Sequence, residues 1–148
     1  MLLDVARAFF EETGWRCEEH TPEQTLRAFH DGDSGTFPVY VKTYDERDQL
    51  IVYGVLPNHV NEDRRVAVGA LLAGLNYGLS IGSFEIDFGD GEVRFRAGID
   101  VEGGELTPMM VRSLAAACVL TFDLYRPVIE SVADGSLGPL DALNDAGG

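Results

Sequence analysis

Gly78-Leu79-Ser80-Ile81-Gly82 matches the G-x-S-x-G spacing of serine hydrolases. That chemistry needs the serine on a sharp turn between a preceding strand and a following helix, with its histidine later in the chain. Here a helical pattern precedes and a strand pattern follows, while His20, His30 and His59 all come earlier. The stretch reads instead as a helix end leading into a strand. Asp31-Gly32-Asp33-Ser34-Gly35 begins like a calcium loop, but Gly35 and Thr36 stand where a ligand and the turn glycine belong. It reads as a solvated loop. The histidines and cysteines show no C-x-x-C or H-x-x-x-H spacing. Gly89-Asp90-Gly91 lacks the third glycine of a phosphate loop. Neither a metal nor a cofactor is predicted.

Carboxylates are plentiful, and an enzyme would have to be built from them. Asp87, Asp90, Asp100 and Glu102 fall on polar positions of a hairpin, the pattern of a solvated face. Arg94 and Arg96 leave the same strand on the same side, where cross-strand ion pairs are the expected outcome. The residues therefore point away from catalysis. The alternatives are an uncharacterised enzyme using surface carboxylates with Arg94 and Arg96, or a structural subunit of an assembly. Cys17 and Cys118 form no disulfide framework and are expected to be reduced thiols in the cytoplasm.

The elements that position these residues follow from periodicity. Leu2, Val5, Ala6, Phe9 and Phe10 share one helical face over 2–13, and Gly14 follows as a C-terminal stop. Alternation is faint over 15–20, then recurs at 26–30, 37–42 and 49–56. Asn61 is expected to cap a helix running to about Tyr77, whose middle is crowded with small residues. Strands over 83–88 and 92–101 flank an Asp-Gly turn. Thr107-Pro108 opens a last helix with a wide apolar stripe, in which Pro127 is expected to place a kink. Gly, Ser, Pro and Asp dominate the end of the chain. The expected organisation is one domain over 1–135 and a flexible acidic Gly-rich tail over 136–148. The order α-β-β-β-α-β-β-α implies an α+β fold, an antiparallel sheet with helices packed on it.

The chain of 148 residues carries 25 Asp+Glu against 11 Lys+Arg, a net charge of −14. Nucleic acid and anionic membrane surfaces are disfavoured, because both attract Lys and Arg. A basic protein partner fits the balance better. The N-terminus lacks a signal-peptide pattern, and the longest apolar candidate for a membrane span, 66–81, is broken by Gly69, Gly74, Asn76 and Gly78.

From Leu75 to Val132 the sequence resembles the YbjN-like family of bacterial proteins. The resemblance rests on Leu75-Asn76, Gly82-Ser83-Phe84-Glu85, Asp90-Gly91-Glu92-Val93-Arg94-Phe95-Arg96, Asp100-Val101, Leu106-Thr107 and Tyr125-Arg126-Pro127-Val128-Ile129. It implies a sensory-transduction regulator without established catalytic residues, on a fold similar to that of the type III secretion chaperones, small acidic cytoplasmic dimers that hold a client segment extended.

The expectation is thus a non-enzymatic protein-binding module, chaperone-like or regulatory, working as a homodimer. Tyr40, Tyr44, Ile51, Tyr53 and Val55 are the candidate client-binding face. The small-residue helix, through Ala70, Ala73 and Gly74, is the candidate dimer seam.

Overall fold

The computed structural model describes residues 1–147. Helix α1, Leu2–Thr13, buries Leu3, Ala6, Phe9 and Phe10 and stops at Gly14, whose left-handed backbone (φ 68°) a Cβ would strain. Four strands follow, β1 Cys17–His20, β2 Thr25–Gly32, β3 Gly35–Tyr44 and β4 Gln49–Val55. A 3-10 turn at Glu62–Arg64 leads into α2, Arg65–Tyr77. The hairpin of β5, Ser83–Ile86, and β6, Val93–Asp100, precedes α3, Pro108–Ala133, and α4, Pro139–Gly147.

The strands form one antiparallel sheet in the order β1-β2-β3-β4-β6-β5. The fold is α+β, with the expected order of helices and hairpins; the faint alternation before β2 is strand β1. Period-2 alternation decides which side is dry. Val39, Val41, Leu50, Val52, Phe95 and Ala97 are buried beneath the helices. Phe122 of α3 packs its ring 4.3 Å from that of Phe37. Gly54 lets α3 approach, since a Cβ there would lie 2.9 Å from the Cys118 Sγ.

By length and composition α3 could cross a membrane. Its stripe of Val111, Leu114, Cys118, Phe122, Ile129 and Val132 is buried against the sheet and the other helices. Thr107 caps it as expected, its hydroxyl accepting from the Met110 N–H.

Several local expectations are corrected. The loop expected over 31–35 is a tight turn at Asp33-Ser34, because Asp123 of α3 accepts from both of their backbone N–H groups, at 3.1 and 2.9 Å, and holds the hairpin end down. Asn61 makes no side-chain cap; its carbonyl accepts from the Arg64 N–H and closes the 3-10 turn instead. β5 ends at Ile86, short of the expected end at Phe88, while α3 runs to Ala133 with Pro127 inside it, as its apolar stripe implied.

The segment expected as a flexible tail contains α4. Ala142 is fully buried, and Leu143 and Ala146 pack against the core. Composition hid this helix because its stability comes from docking on α2 and α3 rather than from propensity. The domain therefore extends through α4; Gly148 lies outside the described residues.

Candidate functional site

The strands of the middle of the sheet alternate between a dry face and an open one. Tyr40, Tyr44, Ile51, Tyr53 and Val55 are out of phase with the buried positions of β3 and β4. All five stand half-buried on the face away from the helices. Register assembles their surroundings. One row across the sheet reads Glu18, Arg27, Tyr40, Tyr53, Arg96, Ser83. The next reads His20, Thr25, Lys42, Ile51, Gly98. On the other side of the first row, Val55, Arg94 and Glu85 align, and Phe29 faces Pro38.

Cations and aromatic rings interleave on this face. The Arg27 guanidinium carbon lies 5.3 Å from the Phe29 ring centre, the Lys42 Nζ 4.9 Å from Tyr44, and the Arg94 guanidinium carbon 4.5 Å from Tyr53. The guanidinium carbon of Arg47, in the turn between β3 and β4, lies 5.2 Å from the Tyr44 ring centre. Each such contact contributes about 0.5–1 kcal/mol where exposed. The expected ion pairs of Arg94 and Arg96 are present, and both use one carboxylate: Arg94 Nε lies 2.8 Å from one oxygen of Glu85 and Arg96 lies 2.9 Å from the other. Arg27 pairs with Glu18, and its hydrogen bond holds that carboxyl below the ordinary range. Among the described residues Lys42 has no carboxylate within ion-pair distance.

A shallow depression of about 230 Å³ lies on this face, lined by His20, Tyr40, Lys42, Tyr53, Val55 and Arg94. The His20 ring packs 5.2 Å from Tyr40 and forms one wall, and Glu92 sits on the rim. Larger depressions of about 680 and 450 Å³ flank α1 and β1, where Arg7 bridges Asp4 and Glu19.

The residues with catalytic potential are placed differently. Ser80 is exposed in the α2–β5 connection. His30 packs edge-on against Trp15 and tilted against Phe37, and His59 Nδ1 lies 2.9 Å from the Asp90 carbonyl. Burial pushes the Cys118 thiol up to about 12, and raises Cys17 as well, so neither is a ready thiolate. Every carboxyl with a resolved shift is lowered, by hydrogen bonds: Glu18 from Arg27, Asp100 from the Glu102 N–H, and Asp123 and Asp134 from Ser34 and Ser136. Among the described residues no three His, Cys, Asp or Glu side chains cluster as metal ligands.

Of the expected seam, Ala70 and Ala73 are exposed on α2. Gly74 is not available to a second copy in the way expected: a Cβ there would lie 2.6 Å from Leu143, so α4 of the same chain fills the space. Arg27, Lys42 and Phe29 were not singled out from the sequence. Lys42 follows Tyr40 by two residues on β3, and the register of the adjacent β2–β3 and β3–β4 hairpins sets Arg27 beside Tyr40 and Tyr40 beside Tyr53.

Comparison with known proteins follows the architecture. The YbjN family model, described as "Putative bacterial sensory transduction regulator", matches residues 3–131. Comparison with curated proteins finds no match. Among solved structures, the crystal structure of YbjN from E. coli superposes with a TM-score of 0.62 at 15% identity, covering 89% of this chain and 92% of that one. A chain of the HopA1–SchA chaperone–effector complex superposes with a TM-score of 0.51 at 18% identity, covering 79% of this chain and 86% of that one.

Proposed function

Because the chain belongs to the YbjN family, we propose that it is a non-enzymatic protein-binding module, chaperone-like or regulatory, acting as a homodimer in the cytoplasm. The observation that carries this reading is the open sheet face, where Tyr40, Tyr44, Ile51, Tyr53 and Val55 share a surface that no helix covers. Tyrosines of this kind suit recognition, since each offers a rigid apolar body and a polar tip. Likeness in fold to a chain from a chaperone–effector complex supports the same reading. The lowered carboxyls weigh against an acid–base enzyme, whose general acid needs a raised pKa.

The dimer seam is proposed on α2, shifted from the helix positions that α4 covers. Residues 66–84 carry no charged side chain in a chain that is 24% charged. This holds even at exposed positions: Val66 is 77% and Tyr77 96% exposed, in line with Ala70 and Ala73. An apolar stripe at i, i+4, i+7 and i+11 on the outside of a helix is the pattern of a helix that meets a partner.

The test of the binding face is a double substitution, Tyr40→Ser with Tyr53→Ser. Affinity capture is run with both proteins, and each recovered candidate is then titrated calorimetrically against purified chain. The expected result is an unchanged circular dichroism spectrum and loss of a partner that binds the unmodified protein directly. Equal binding by both proteins, or unfolding of the double variant, overturns the reading.

A further inference from the structure

The helical side of the molecule carries an apolar stripe that its own fold leaves uncovered. Met109, Leu120 and Leu124 of α3 are 63%, 69% and 67% exposed, on the side of the helix opposite Val111, Cys118, Phe122 and Ile129. Ser113 and Ala116 lie between them, so steps of four, three, four and four residues keep the stripe on one side. It extends for about 22 Å at the rise of an α-helix. This second apolar face is why α3 is long and apolar enough to cross a membrane although only one of its faces lies in the core.

Carboxylates outnumber free cations around the stripe. Between Ser113 and Gly147 the chain has Asp123, Glu130, Asp134, Asp141 and Asp145, and its one cation is Arg126. Arg126 is buried, donates to the Thr36 carbonyl and lies 3.4 Å from Glu130. Asp123 and Glu130, seven residues apart, fall along one flank of the stripe by helical spacing. Asp141 and Asp145 are exposed on α4, which packs on α3. On the neighbouring elements Arg7 is committed to Asp4 and Glu19, while Arg64 and Arg65 donate to backbone carbonyls. Arg112, near the N-terminal end of α3, is exposed and has no carboxylate at ion-pair distance among the described residues. The negative charge therefore gathers toward the C-terminal half of α3, where the helix dipole adds to it.

We infer that the outer face of α3 receives a basic amphipathic helix of another protein, with its apolar side on Leu120 and Leu124 and its cations toward Glu130 and α4. The inference rests on the protein-binding reading above and adds a second surface, on the far side of the sheet from the tyrosines. A helix suits the stripe because side-chain ridges of one helix pack into the grooves of another. An extended segment would turn its backbone N–H and C=O groups onto apolar side chains that cannot pair with them. A second copy of this chain fits less well, because it would bring Asp123, Glu130 and the acids of α4 against their own kind, a cost absent on the charge-free face of α2. An anionic membrane surface meets the same repulsion. Complementary charge at the contact sets which amphipathic helix docks and how fast.

The test uses three fluorescein-labelled peptides of about 18 residues, long enough to follow the stripe as a helix. One carries Leu on one helical face and Lys on the other, the second has the same composition in scrambled order, and the third replaces each Lys with Glu. Each is titrated by fluorescence anisotropy into the full chain, into Leu120→Gln, and into Leu120→Gln with Leu124→Gln. Both positions are exposed, so the circular dichroism spectra should not change, and the single variant decides the matter if the double one misfolds. The expected result is saturable binding of the amphipathic Lys peptide, falling about five- to tenfold in the single variant and further in the double. Equal binding by the variants, or of the scrambled peptide, would show attraction to net charge alone and overturns the inference. Preference for the Glu peptide, or binding of none of the three, overturns it too. Two further measurements compare the unmodified chain with the double variant. Loss of co-sedimentation with phosphatidylcholine vesicles would assign the stripe to a membrane, and loss of a dimer mass in light scattering would assign it to a second copy; either overturns the inference. The Tyr40/Tyr53 experiment, on the opposite side of the sheet, decides the sheet-face reading separately.

Discussion

Asn76 closes an edge of the sheet. Its side-chain amide donates to the Phe84 carbonyl at 3.0 Å, and its carbonyl oxygen accepts from the Phe84 N–H at 2.7 Å. One residue of α2 thus imitates a neighbouring strand along β5 and removes a template for edge-to-edge pairing. Asn76→Ala is expected to lower stability by about 1–2 kcal/mol. This would appear as a lower urea midpoint at unchanged slope, and an unchanged midpoint would show that water replaces the amide at no cost. Asp123 plays a comparable part at the other end of the molecule. Its carboxylate holds the Asp33-Ser34 turn, and Gly32 leaves room for it, since a Cβ there would lie 2.2 Å from the Oδ1. Hydrogen bonding from Ser34, chiefly its hydroxyl, holds the Asp123 carboxyl below its ordinary value, against a smaller opposing effect of burial. A depressed folded pKa adds stability that is fully present above the unfolded value, about pH 4, and is lost as pH falls through the lower folded value. Asp123→Asn should therefore be less stable at neutral pH, with the gap to the unmodified protein closing in acid. Denaturation midpoints measured from pH 7 down to about pH 2 check this; a gap that stays constant with pH would show that the charge is irrelevant.

At the scale of elements, the legible parts were those with an unbroken local period. The β5–β6 hairpin could be read because Val93, Phe95 and Ala97 alternate with Arg94 and Arg96 around an Asp-Gly turn, and the buried face is the apolar one. α1 and α3 could be read from their stripes and stops. α4 could not, because Pro139–Gly147 is short and includes Gly, Asp and Asn, so nothing local outweighs a loop. The small size of Gly74 was visible, but not what fills the space beside it. Alternation likewise put the five client-face residues on one side of β3 and β4 without saying which side the helices would cover. α4 buries Ala142 and part of Leu143 and Ala146, a gain of a few kcal/mol at about 25 cal/mol per Å². Ordering its backbone costs roughly 1–2 kcal/mol per residue, so the helix should open well before the rest of the fold. Gly74→Leu places a side chain where Leu143 sits and should release α4 while leaving the sheet intact. Hydrogen exchange is the readout: faster exchange over 139–147 in the variant, with that of β3 and β4 unchanged. Uniform acceleration across the chain would mean that α4 is an inseparable part of the core.

For the molecule as a whole, charge and apolar surface are segregated. The acidic excess is spread widely, the open sheet face mixes cations with carboxylates, and the outer face of α2 has no charge at all. Two copies carrying −14 each repel at long range, so a self-association site has to lie where charge is absent. Screening acts over about 8–10 Å at physiological salt and shortens further as salt rises. A dimer through α2 should therefore tighten with salt. Light scattering is expected to give a mass approaching twice 16.1 kDa, more completely at high salt than at low. Ala70→Glu combined with Ala73→Glu changes two exposed positions, so the fold should be retained. Each new carboxylate would be buried unpaired at the seam, which is strongly destabilising for the contact. The variant should then scatter as a monomer near 16.1 kDa at both salts while keeping its circular dichroism spectrum. A variant that remains dimeric would move the seam away from α2, and an unmodified protein that is monomeric at both salts would remove the dimer from the proposal while leaving the sheet face as the binding surface.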